Sequence, residues 1–206
     1  GSVNFFVIGF CMGVCNGFAI PVAQRMGAGE PSKMRRFAAN AAWLSILFAV
    51  VLTTATGLLC RRILTVMRTP ADIFDHAYAY IFVIFMGIPA TFLYNLLAGI
   101  IRSLGDSRTP VYFLALSSCL NIVLDFTLIL GFHAGVAGAA IATVASQAVS
   151  GAICLLYMIR KYPILRMTGE ERRFDLHSCG VLCAMGIPMG LQYSITAIGS
   201  VTIQAA

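Results

Sequence analysis

Apolar residues run along this chain in six long blocks, and the charged residues gather in the short stretches between them. The blocks cover about residues 3–24, 37–60, 78–101, 110–131, 135–159 and 176–206. A helix of about 22 residues rises about 33 Å, which matches the ~30 Å hydrocarbon core of a bilayer. The pattern predicts an all-α integral membrane fold of six transmembrane helices. Proline and glycine mark where these helices bend: Pro21 near the end of the first, Gly87 and Pro89 inside the third, and Gly186-Ile187-Pro188 in the sixth. Pro110 stands where a helix tolerates proline, in its first turn. Residues 61–77 are too polar to span and predict an interfacial turn with a short amphipathic segment.

Composition agrees with this pattern. The chain is 59% hydrophobic and 11% charged, where soluble domains carry about a quarter charged residues. A net charge of +6 would suit nucleic acid, but the basic residues lie at block ends, so no nucleic-acid partner is expected. The connections 25–36, 102–109 and 160–175 hold eleven of the fourteen Lys and Arg and alternate with connections that hold the rest. The positive-inside rule makes these three connections cytoplasmic in a multi-pass protein of the plasma (inner) membrane. The first block then runs inward, so at least one helix is expected before it. The chain opens without Met and closes inside an apolar block, which reads as a fragment of a longer protein. Seven scattered Cys residues, including the helix-spaced Cys11/Cys15 and Cys179/Cys183, read as small buried side chains rather than metal ligands or disulfides.

The block at 110–131 carries the candidate chemistry. Asp125 is the one acidic residue of eight that lies inside a membrane-length apolar run. Ionised there it costs a few kcal/mol, so such a residue is functional or paired. Asn121 lies one helical turn earlier on the same face, with Ser117 and Ser118 a turn before that. The connection to the next block is short, so the two helices are antiparallel neighbours. Thr143 stands eight residues into its helix and Asp125 six from the end of its own, at nearly equal depth. Asp125, Asn121 and Thr143 are therefore expected to converge on one polar pocket. Desolvation disfavours a charged carboxylate, which would let the pocket exchange a proton; its oxygens would equally accept Na⁺. The bland alternative is a permanently protonated Asp125 hydrogen-bonded to a neighbouring helix. Asn16, Tyr94 and Asn95 could line a substrate cavity or bond helix to helix. Gln147 shares a polar stripe with Thr143, Ser146 and Ser150 and is a further candidate lining residue. His133 falls in an outer turn and reads as interfacial. No nucleophile elbow, P-loop or H-E-x-x-H occurs, so no enzyme and no cofactor are expected beyond the coupling ion, H⁺ or Na⁺, and no metal other than Na⁺ at Asp125.

The strings PVAQRMGAGE, MGIPATFLYNLLAGIIRSLGDSRTP, LNIVLDFTLILGFHAGVAGAAIATVASQ and MGIPMGLQYS resemble the multidrug and toxic compound extrusion (MATE) transporters, essentially along the whole chain. The resemblance implies twelve helices in two six-helix bundles. Residues 1–160 would supply helices two to six of the first bundle. Residues 161–175 would form the cytoplasmic inter-bundle loop, and 176–206 the first helix of the second bundle. It implies an antiporter that exports cationic or amphipathic small molecules in exchange for H⁺ or Na⁺. It also assigns a cation site to Asn121, Asp125 and Thr143. Membrane lipid is the expected surrounding, and the full-length protein is expected to be monomeric. Two rivals keep the same helices: a lipid-linked oligosaccharide flippase of the same superfamily, and a non-transporting scaffold or channel subunit. The flippase would be expected to carry cations within its spans, where this chain places every Lys and Arg at span ends or in loops.

Overall fold

The computed structural model describes residues 2–206, with side chains from Asn4 onward. Among them are helices α1 (Ser2–Gly27), α2 (Pro31–Val66), α3 (Phe74–Met86), α4 (Ile88–Ser103), α5 (Arg108–Asp125), α6 (Gly135–Lys161) and α7 (Leu176–Ala205), and no strand. Five of these are long and apolar enough to cross a membrane, counting α5 with the π-helical turn Phe126–Gly131 that extends it. A sixth is formed if α3 and α4 are taken as one broken span.

One element differs from the sequence expectation, and another bends where the sequence placed a bend. The helix placed at 37–60 runs from Pro31 to Val66, so Arg61 and Arg62 belong to its last turns and not to an interfacial turn. Arg61 can stay on a helix there because its guanidinium lies over the rings of Phe74 and Tyr78, 5.9 Å from each centroid. The span at 78–101 is two helices meeting at Gly87 with a bend of 42°. Pro89, at the second position of α4, has no N–H to continue the α3 ladder, and a Cβ at Gly87 would run into the Val144 methyls of α6. Pro188, by contrast, leaves α7 a single helix from Leu176 to Ala205.

Helix α1 is the centre of the bundle and packs on α2, α4 and α7. Val14, Phe18, Val22, Phe85, Phe92 and Leu182 are buried around it. A second cluster, Tyr94, Leu97, Ile101, Phe113 and Cys154, joins α4 to α5 and α6. Between α1 and α7 the backbones themselves meet. A Cβ on Gly17 would lie 2.5 Å from Gly186 Cα, and a Cβ on Gly190 2.8 Å from Val14 Cγ2. Gly9, Gly13 and Gly17 repeat every fourth residue on α1 and face Gly186, Gly190 and Ser194, the small-residue geometry of close membrane helix pairs. Ser194 Oγ closes one end by donating to the Phe6 carbonyl at 2.9 Å.

The connection between α6 and α7 is pinned to α2. Arg35 Nε and Nη2 donate to the two Glu171 carboxylate oxygens at 2.8 and 3.0 Å. Ser32 Oγ and the Thr168 amide donate to Glu171 as well. This set holds the Glu171 carboxyl at about 2, well below its ordinary value, chiefly through Arg35. Fully buried Asn40 accepts from the Asp175 amide at 2.8 Å and donates to the Arg36 carbonyl at 2.8 Å, and Trp43 Nε1 donates to the Arg172 carbonyl at 2.9 Å. The buried thiols follow the same packing logic: Cys179 Sγ lies 3.4 Å from Asn40 Oδ1 and Cys15 is fully enclosed.

Candidate functional site

The helical period of α5 puts Asn121 and Asp125 on one face, and the short turn after the π-helical segment returns α6 alongside. The amide orientation of Asn121 that satisfies its neighbours joins three side chains. In it, Asn121 Nδ2 donates to Asp125 Oδ2 at 3.2 Å and Asn121 Oδ1 accepts from Thr143 Oγ1 at 3.2 Å. Thr143 Oγ1 also lies 3.0 Å from the Ala139 carbonyl of its own helix. Asp125 Oδ1 is shielded from solvent and has no hydrogen-bond partner. One carboxylate oxygen is thus bound to the amide while the other is left as an open acceptor. Beside it lies an otherwise apolar depression of about 320 Å³, lined by Ile122, Phe126, Ile129 and Leu130.

The α-helix gives way to a π-helical turn immediately after Asp125. Such turns carry an extra residue, widen the helix and recur at functional sites. Here the widened turn packs its Leu128 against Gly138, which opens the small-residue start of α6. Sequence reasoning missed this feature, and no residue in FTLILG signals it.

The remaining candidates lie elsewhere. Tyr94, Asn95 and Gln147 line a cavity of about 370 Å³ between α1, α4, α5 and α6. Gln147 Oε1 accepts from Thr91 Oγ1 at 3.0 Å, which couples α6 to α4. Asn95 Nδ2 donates back to the Thr91 carbonyl at 2.8 Å, and buried Tyr94 donates to the Pro110 carbonyl at 3.2 Å. Asn16 is not in the wall; its Oδ1 accepts from Arg102 Nη2 at 3.1 Å, and Arg102 itself lines the cavity. Thr91 and Arg102 were not singled out in the sequence. Arg102 reads there as one more span-end cation. Thr143 and Gln147 are four apart on α6, so the carboxylate cluster and the cavity share one face of that helix a turn apart. His133 holds a left-handed backbone (φ 53°) in the turn between α5 and α6 and takes no part in either group. Among the described residues no group of three His, Cys, Asp or Glu side chains is placed to hold a metal ion.

The chain is similar in sequence and in fold to known proteins. The family model called MatE matches residues 1–127. The probable multidrug resistance protein YpnP of Bacillus subtilis is 31% identical over 99% of this chain and 45% of its own length. The probable multidrug resistance protein YoeA of the same organism is 27% identical over 97% and 44%. The chain therefore spans less than half the length of these relatives. Among solved structures, an inward-facing conformation of a multidrug resistance MATE family transporter superposes with a TM-score of 0.86 at 24% identity, covering 96% of this chain and 46% of that one. An outward-facing conformation gives 0.85 at 24% identity over 93% and 43%. With the family match spanning more than half of the chain and this helical arrangement shared with solved transporters, the protein belongs to the MatE family of membrane transporters.

Proposed function

We propose that this chain is part of a secondary active efflux antiporter that exports cationic or amphipathic small molecules in exchange for H⁺ or Na⁺. The observation that carries the reading is the open oxygen of Asp125: a shielded acceptor with no partner, beside a carboxylate oxygen already held by Asn121. A proton would add to that oxygen directly; a Na⁺ would be joined there by the Asn121 carbonyl, an oxygen donor hard cations accept, once the amide turns over from its contact with Thr143. The ion can drive transport only by binding two conformations with different affinity. The π-helical turn next to Asp125 supports this coupling, because repacking a widened turn changes the register of the residues that follow. The adjacent cavity around Tyr94, Asn95 and Gln147 is the proposed drug contact. The names of the curated relatives support the export reading, and the two bundles, the cytoplasmic connections and the plasma membrane location belong to the same proposal. The flippase alternative gains no support: among the described residues Arg102 is the one charged residue of the cavity wall, and it sits at the last turn of α4.

The test uses the full-length protein in liposomes, with ethidium efflux driven first by an imposed pH gradient and then by an imposed Na⁺ gradient. One gradient should drive efflux in the wild type and fail to do so in Asp125→Asn. Equal efflux by the two proteins would return Asp125 to a structural role.

A further inference from the structure

We propose that the ends of α5 and α6 remote from Asp125 form a seat for one anionic phospholipid, with its phosphate between Arg108 and Lys161. A depression of about 400 Å³ lies there, lined by Arg108, Tyr112 and Phe113 of α5, Tyr157 and Lys161 of α6, and Asp106 of the preceding loop. It is on the side of the molecule whose connections carry eleven of the fourteen Lys and Arg.

The charges in this depression are arranged to receive an anion. Asp106 is the acid within it, and both of its oxygens are already occupied. Oδ1 accepts from the Arg108 and Thr109 amides at 3.1 and 3.0 Å, and Oδ2 accepts from Thr109 Oγ1 and from the Tyr162 hydroxyl. That carboxylate is spent on the first amides of α5, on Thr109 and on Tyr162, and forms an ion pair with neither cation. Neither Arg108 nor Lys161 has a carboxylate within ion-pair distance among the described residues. Lys161 is nonetheless held in place: Nζ donates to the Tyr157 hydroxyl and stands 5.1 Å over the Tyr157 ring centroid. Two of its three N–H donors stay free, as do the five of Arg108. A phosphate diester accepts this combination of a point charge and a planar fork.

The second half of the ligand is read from α5. Tyr112 is 68% exposed at the rim, where an amphipathic ring marks a membrane interface. Along the same face Cys119, Val123 and Phe126 are also exposed, so an apolar stripe leads from the basic rim toward the opposite leaflet. A soluble phosphate would use the cations and leave this stripe unused. A phospholipid uses both, and the anionic lipids of the cytoplasmic leaflet are the chemistry that basic pockets on that side attract.

The experiment takes the full-length protein in detergent and titrates phosphatidylglycerol, phosphatidylcholine and inorganic phosphate. The readouts are bound lipid by native mass spectrometry and the rise in melting temperature with lipid. The wild type should retain one phosphatidylglycerol in preference to phosphatidylcholine, and millimolar phosphate should not displace it. The double variant Arg108→Gln/Lys161→Gln should bind that lipid about thirty-fold more weakly and lose the lipid-dependent rise in melting temperature. Its lipid-free melting should match the wild type, and Arg108→Lys/Lys161→Arg should keep affinity within a few-fold. Unchanged phosphatidylglycerol binding by the double variant overturns the proposal. So does equal binding of phosphatidylcholine, and displacement by phosphate at matching concentration would assign the site to a soluble anion instead.

Discussion

The α1/α7 seam makes a sharp demand on residue 17. Replacing Gly17 with Ala puts a methyl carbon 2.5 Å from Gly186 Cα and 2.6 Å from the Met185 carbonyl oxygen. Both obstacles are backbone, so no side chain can swing aside, and the helices must part by about 1 Å to restore van der Waals distance. A gap of that size forfeits a quarter to a half of each dispersion well along the seam, and overpacking of this kind costs about 1–3 kcal/mol. The same substitution also gains about 1 kcal/mol of helix propensity. Gly199 isolates the packing cost: it lies on α7 with nothing within 4 Å of its would-be Cβ, so Gly199→Ala shares the propensity gain and none of the clash. The difference between the two variants should therefore be about 1–3 kcal/mol. Thermal unfolding of the full-length protein, followed by a thiol-reactive fluorophore, suits the chain because Cys11, Cys15, Cys60, Cys154 and Cys179 are buried. Gly17→Ala should melt about 2 °C or more below Gly199→Ala. If the two melt together, the helices do not meet backbone to backbone at this position.

Other consequences can be measured in the same preparation. Glu171→Gln removes one charge of the pair that ties the inter-helix loop to α2, and should cost about 2 kcal/mol at pH 7. Because the folded Glu171 carboxyl is lowered to about 2, its contribution is present above the ordinary value near 4.5 and lost as pH falls toward 2. The melting curves of Glu171→Gln and wild type should then converge in that window, and a constant offset down to pH 2.5 would contradict the assignment. Asn40→Ala leaves the Asp175 amide and the Arg36 carbonyl without their buried partner and should cost about 2–3 kcal/mol, read by the same melt. Thr91→Val keeps the shape of the cavity wall but strands Gln147 Oε1, so drug affinity measured by fluorescence titration should fall about three- to tenfold with melting little changed.

Hydropathy alone located every long helix, because a bilayer requires long uninterrupted apolar helices with their backbone bonds satisfied internally. Its errors were at boundaries set by tertiary contacts. Arg61 stays helical because Phe74 and Tyr78, across a turn, receive its guanidinium. The bend expected at Gly87 and Pro89 is present, although the Val144 methyls that would meet a Cβ at Gly87 leave no trace in the sequence. The meeting of Asn121, Asp125 and Thr143 was legible from spacing and hairpin depth. The π-helical turn beyond Asp125 was not, since nothing in FTLILG distinguishes it from an ordinary apolar helical turn. The Gly9-Gly13-Gly17 repeat stood in the sequence with a period of four and could have announced the α1/α7 seam. The Arg35–Glu171 pair, by contrast, joins residues far apart in the chain and has no local signature.

If the open oxygen of Asp125 receives the coupling ion, the full-length protein must bind that ion through it. The measurement titrates Na⁺ at fixed pH, and then protons at fixed ionic strength, without drug, comparing wild type with Asp125→Asn and Thr143→Val. One saturable ion per protein should bind at this site, lost in Asp125→Asn and weakened about tenfold in Thr143→Val. Undiminished binding of both ions by Asp125→Asn would contradict it.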